Sequence, residues 1–154
     1  MLNRLPVFLG KSPCFPELRE LLGFARFPPV LSDHRAQAGP SDASYRVAEG
    51  GLEFVELYRS IRFAHTLQQL RQSYRVIGTA AETGQPIDAL HRAGRPFALV
   101  IGNEEHGLPR ATLEACDEIV TIPGSGFVQS LNVAASAAIL LHILARRSEA
   151  LPQN

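Results

Sequence analysis

The chain has 154 residues, 45% apolar and 19% charged, with basic and acidic side chains balanced at 15 each. That supplies core enough for one compact domain, is short for two, and excludes global disorder. Zero formal charge excludes a protein that holds nucleic acid by bulk positive charge, though not a local basic patch; every basic residue but Lys11 is Arg. Cys14 and Cys116 match no Cys-x-x-Cys spacing, so neither a zinc site nor a disulfide framework is expected and a reduced, cytoplasmic setting is. Met1 to Gly10 carries no signal-peptide pattern and is interrupted by Pro6. The longest apolar run, Leu131 to Ala145, contains Asn132, Ser136 and His142; it is shorter than the roughly 20 residues of a membrane span and predicts a buried helix.

In chain order, the N-terminal third is irregular. Pro6, Pro13, Pro16, Pro28, Pro29 and Pro40 punctuate it, and only Glu17 to Phe27 has helical spacing, with Leu18, Leu21, Leu22 and Ala25 on one face. Gly39 to Asp42 and Gly50-Gly51 mark loops. From Leu52 onward strands and helices alternate. Leu52 to Leu57 is strand-like, and Ser60 to Ser73 is helical, with Ile61, Ala64, Leu67 and Leu70 on its apolar face. Tyr74 to Thr79 predicts a strand and Ile87 to Ala93 a short helix. Phe97 to Gly102 is a continuous apolar strand of the kind buried on both faces. Leu108 to Cys116 is helical with Pro109 in its first turn, Glu118 to Ile122 is another buried strand, and Val128 to Arg147 is the final helix.

This alternation predicts one α/β domain with a mainly parallel sheet and flanking helices. Ligands of such sheets bind beyond the carboxyl ends of the strands. Three segments belong there: Thr79 to Glu82, Gly102 to Gly107, and Pro123 to Ser130. Two are rich in glycine, which admits close approach of a ligand to the backbone. The chain has no P-loop sequence, and Gly124-Ser125-Gly126 fails as a dinucleotide fingerprint because Gln129 occupies its sixth position. Glu104 and Glu105 are adjacent at a strand end and point apart, which suits them poorly to paired acid–base work. His106 has no second His or Cys at metal-ligand spacing, so no metal is expected.

The stretch Phe97-Ala98-Leu99-Val100-Ile101-Gly102-Asn103-Glu104-Glu105-His106-Gly107-Leu108, followed by Ile122 to Ser130 and then Leu131-Asn132-Val133-Ala134-Ala135, resembles the second and third motifs of the SpoU (TrmH) family of RNA ribose 2′-O-methyltransferases, within the SPOUT superfamily. Motif order, the twenty positions from Gly102 to Ile122, and Ser-Leu-Asn-Val at the start of the last helix all match. The likeness runs over about residues 41–147.

The resemblance implies an α/β fold whose C-terminal part threads a deep trefoil knot, a feature periodicity never suggests. It implies S-adenosyl-L-methionine as cofactor, held by Thr79, Ala80, Gly102, Asn103, Ile122, Gly124, Gly126, Ser130 and Leu131. It implies transfer or ribosomal RNA as partner and a homodimer joined through the C-terminal helix. Glu104 would brace the knot or the catalytic loop. Ser130 and Asn132 would lie near the reacting ribose or cap the last helix. The family's first motif, Asn-x-Gly-x-x-x-Arg-Thr-Ala, is degraded here. Glu17 stands for Asn, Arg19 for Gly, Gly23 for Arg and Phe24 for Thr, and only Ala25 is kept. Residues 1–30 therefore form a divergent segment of a single domain, 1–154. The ribose hydroxyl needs a positioned base, and Arg19 and Arg26 are the candidates to replace the missing arginine. The alternative is a dimeric module that keeps the cofactor pocket and RNA contacts but transfers nothing.

Overall fold

The computed structural model describes residues 7–9, 30–33, 57–90, 96–102, 106–125 and 131–148. Seven parallel strands form one sheet: β1 (Val7–Leu9), β2 (Val30–Asp33), β3 (Leu57–Ser60), β4 (Arg75–Thr79), β5 (Gln85–Pro86), β6 (Phe97–Ile101) and β7 (Glu118–Thr121). Their spatial order is β3-β2-β1-β6-β4-β7-β5. The three described α-helices are α1 (Phe63–Leu70), α2 (Arg110–Glu114) and α3 (Val133–Ser148).

Alternation along the central strands separates two cores. Val76, Ala98 and Val100 face one side, where Phe63 and Leu67 of α1 and Leu108, Ala115 and Cys116 around α2 cover them. Ile77, Leu99, Ile101 and Val120 face the other, against Val133, Ala137, Leu140, Leu141 and Leu144 of α3. All five residues of β6 are buried, as a strand covered by helices on both faces must be.

Several elements depart from expectation. The N-terminal third, expected to be irregular, supplies β1 and β2, with β1 paired to both β2 and β6. The expected helix Glu17 to Phe27 lies outside the described residues. So do residues 52–56; the described strand there begins at Leu57 and runs to Ser60, where a helix was expected to start. Helix α1 begins at Phe63, and Phe63 and Leu67 take its inner positions. Ile61 is thereby left ahead of the helix and 68% exposed, not on the apolar face. The helix expected at Ile87 to Ala93 is a single 3-10 turn, Ile87–Ala89, after which Leu90 is extended. One turn suffices to bury Ile87 and Leu90 against the α3 side. In β7 only Val120 is fully buried, because its outer neighbour β5 is two residues long and covers little. Helix α3 starts at Val133, five residues later than Val128; residues 126–130 lie outside the described set.

Candidate functional site

The described strand pairings are parallel, so β6, β4 and β7 end on one edge as three adjacent strands. The registers set the heights of their turns. Gly78 lies opposite Val100 and Thr79 opposite Val120. Continued by two residues on β6 and one on β7, these registers set Ala80 level with Gly102 on one side and with Thr121 on the other. Strand spacing is about 4.8 Å, so the three chain exits lie side by side within one small-molecule width. The three loops singled out in the sequence thus leave the sheet together.

Main-chain contacts dominate this edge. The Ala80 N–H donates to the Val120 carbonyl at 3.0 Å, and the Thr121 hydroxyl donates to the Ala81 carbonyl at 2.9 Å. What Ala80 can offer a ligand is therefore its carbonyl and methyl. Thr79 and Ala80 are half-buried, Gly102 is buried and Ile122 is half-buried against the α3 core. A Cβ on Gly102 would sit 2.4 Å from the Gly107 carbonyl carbon and 2.6 Å from the Leu108 nitrogen. The turn after β6 closes so tightly on itself that only glycine fits. Its far end, Gly107, has φ +61°, a left-handed conformation that also favours glycine.

Gly84 was not among the sequence candidates. A Cβ there would meet the Val120 carbonyl carbon at 2.4 Å and the Thr121 nitrogen at 2.6 Å. The chain passes from β4 to β5 directly, yet β7 lies between them in the sheet, so the connection must cross β7 at backbone contact distance. The only sequence signal was a glycine after Glu82-Thr83.

Gly124 is exposed, and a Cβ there would face open space. Leu131 is 47% exposed beside the start of α3. The Asn132 carboxamide oxygen accepts from the Ala134 N–H at 2.7 Å and from the Ala135 N–H at 3.3 Å, which makes Asn132 the cap of α3. Arg19, Arg26, Asn103, Glu104, Gly126 and Ser130 lie outside the described residues. Among the described residues no His, Cys, Asp and Glu group could hold a metal ion, and no helix is long and apolar enough to cross a membrane.

The opposite edge carries charge. Asp117, just before β7, accepts from the Val76 N–H at 2.8 Å and from Arg71 at 2.7 Å. Glu118 accepts from Arg75 and, at 2.9 Å, from the Gln85 amide, so one carboxylate ties β7 to both of its neighbours. Burial, reinforced by the Asp117 charge and opposed by Arg71, pushes the neighbouring Cys116 thiol up to about 12, and it stays protonated and inert.

Comparison with known proteins agrees with this architecture. Residues 24–142 match the model of the SpoU rRNA Methylase family. The chain is 39% identical over 113 residues to the 23S rRNA (guanosine-2′-O-)-methyltransferase RlmB of Nitrosomonas europaea, a match covering 73% of this chain and 43% of that protein. Against the Escherichia coli K12 protein of the same name it is 38% identical over 113 residues, covering 73% and 45%. The matched region thus spans less than half of these relatives. Among solved structures, the SpoU methyltransferase AviRb from Streptomyces viridochromogenes, in complex with the cofactor AdoMet, superposes with a TM-score of 0.80 at 23% identity over 97% of this chain and 60% of that one. The A. aeolicus TrmH/SpoU tRNA modifying enzyme gives 0.79 at 20% identity, over 96% and 76%. With residues 24–142 matching the family model and a relative 39% identical over 73% of this chain's length, the chain belongs to the SpoU rRNA methylase family.

Proposed function

We propose that this chain is the methyl-transferring domain of an S-adenosyl-L-methionine-dependent RNA ribose 2′-O-methyltransferase, acting in the cytoplasm on ribosomal RNA, the substrate in the names of its RlmB relatives. The observation that carries the reading is the carboxyl edge of β6-β4-β7. There Ala80, Gly102 and Thr121 stand level, and the turn after β6 has closed too tightly for any side chain at Gly102. Such an edge presents main-chain atoms beside the half-buried Thr79, Ala80 and Ile122, which suits an adenosine-bearing ligand. Thr79, Ala80, Gly102, Asn103, Ile122, Gly124, Gly126, Ser130 and Leu131 hold the cofactor, which supplies a methyl group on a positively charged sulfur.

The chain's own part is positioning and proton removal. Arg19 or Arg26 takes the place of the missing first-motif arginine beside the ribose hydroxyl, whose proton passes to a base or to water as the oxygen takes the methyl group; Glu104 braces the loop after β6, and Ser130 lies near the ribose. Asn132 fixes the start of α3, which is what its two hydrogen bonds support. The final stretch threads a trefoil knot; the crossing of β7 by the β4–β5 connection, with Gly84 against its backbone, favours this reading. A homodimer forms through α3. Its outer face, with Ala135 exposed, Ile139 38% exposed and Leu131 just ahead of the helix, is apolar surface that a second copy would cover.

Titration calorimetry with S-adenosylhomocysteine and transfer of tritiated methyl to bulk ribosomal RNA test the proposal. Binding with alkali-resistant incorporation at ribose is expected. Binding without transfer would make the chain a cofactor-holding module, and no binding at millimolar ligand would overturn the reading.

A further inference from the structure

A second feature lies on the same edge of the sheet, away from the cofactor turns. The carboxyl end of β3 and the start of α1 enclose an open depression of about 550 Å³ lined by Tyr58, Arg59, Ser60, Ile61, Arg62 and Thr66. Its floor is fixed. The Thr66 hydroxyl donates to the Arg62 carbonyl at 3.3 Å and, 2.7 Å away, receives the hydroxyl of the buried Ser60. That pins the turn, and Tyr58, 52% exposed, and Ile61, 68% exposed, line the depression together with two exposed arginines. Among the described residues that line the depression none is a carboxylate, and the first turn of α1 carries no acid.

An apolar and aromatic surface flanked by two forked cations complements a chain of phosphates whose bases are unpaired. Arginine grips phosphate and aromatic rings stack on bases without regard to sequence. A folded duplex would offer phosphates but no base face for Tyr58 and Ile61. Position supports the same partner. Four strand spacings separate β3 from β4, about 19 Å along one edge, within the reach of nucleotides adjoining a ribose held at the cofactor turns.

We propose that Tyr58 to Arg62 form a docking platform for a single-stranded RNA segment flanking the target nucleotide, with Arg59 and Arg62 on phosphates and Tyr58 and Ile61 against a base. This rests on the methyltransferase reading for its choice of RNA, but its test is separate. Fluorescence anisotropy with a labelled single-stranded RNA of mixed sequence, repeated over a salt series and with a duplex RNA, reads it directly. In Arg59→Gln/Arg62→Gln the log–log salt slope for the single strand should fall by about 1.4, the loss of two phosphate contacts. Tyr58→Ala should weaken single-strand binding at least about fivefold, the lower end for one stacked base, and leave the duplex unaffected, while Tyr58→Phe should restore it. S-adenosylhomocysteine affinity, by calorimetry on the same variants, should not change. If the platform variants lose RNA while the parent chain transfers no methyl group, the docking stands and the methyltransferase reading falls. An unaltered salt slope, an equal loss for duplex and single strand, or a parent chain that binds no RNA would overturn the docking proposal.

Discussion

At the amino ends of β4, β5 and β7 the chain is fastened by charge. Asp117 satisfies the Val76 N–H and pairs with Arg71, and Glu118 bridges Arg75 and Gln85. At the carboxyl ends of the same sheet the fastening is main chain on main chain, with Ala80 bonded to Val120 and Gly102 folded against Gly107 and Leu108. Long side chains can brace an edge that nothing needs to enter. An edge proposed to receive a ligand must keep side chains out, so its rigidity has to come from backbone contacts, the tightest of which glycine alone permits.

Substitutions at the two ends should therefore fail differently. The largest effect is expected from Gly102→Ala. Its Cβ would lie 2.4 Å from a backbone carbonyl carbon that cannot turn aside as a side chain would. Urea unfolding should show a loss of about 3 kcal/mol, and S-adenosylhomocysteine binding should disappear. Unchanged stability together with retained affinity would mean that the two edges are not built differently.

Asp117→Ala comes next. It leaves the N–H of the fully buried Val76 without its acceptor, at a cost of about 2 kcal/mol. Most of that is the orphaned amide, because the Arg71 side chain is 42% exposed and its ion pair is screened. Asp117→Asn, which keeps a carbonyl oxygen at that place, should recover the larger part, and cofactor affinity should survive in both. A loss of affinity would show that the amino edge also shapes the site.

Asn132→Ala removes the cap of α3 and should cost about 1 kcal/mol in thermal unfolding, with Asn132→Asp close to the parent. The smallest effect belongs to Arg110→Ala. Arg110 pairs with Glu114 one turn along α2 at 2.8 Å, but both side chains lie mostly in solvent. The unfolding free energy from urea denaturation should change by less than about 0.5 kcal/mol. A larger change would mean that charge stabilises this fold by itself, and not through the buried groups it satisfies.

Much of the central sheet was legible because its signals are local. Phe97 to Ile101 is an unbroken apolar run, and such a run in an alternating chain can hardly be other than a strand buried on both faces. The three carboxyl-edge loops followed from that alternation, and motif likeness supplied the family. Strands β1 and β2 did not announce themselves. Three and four residues beside prolines carry no period to detect, and they are strands because β6 and β3 offer ladders for them to join. The exposure of Ile61 was likewise invisible, since helical spacing assigns a face but not the residue at which the helix begins.

The amino-acid order by itself determined the α/β class, the family and which three turns leave the sheet along one edge, since apolar periodicity and motif residues are properties of neighbours along the chain. Only the tertiary structure decided that Gly84 lies on β7, that Asn132 spends its oxygen capping α3, and that Glu118 joins three strands. Those facts depend on which distant backbone arrives beside a residue. Parallel strands bring together segments many residues apart, so the partner of each group is set by the packed sheet and cannot be read from its neighbours in the chain.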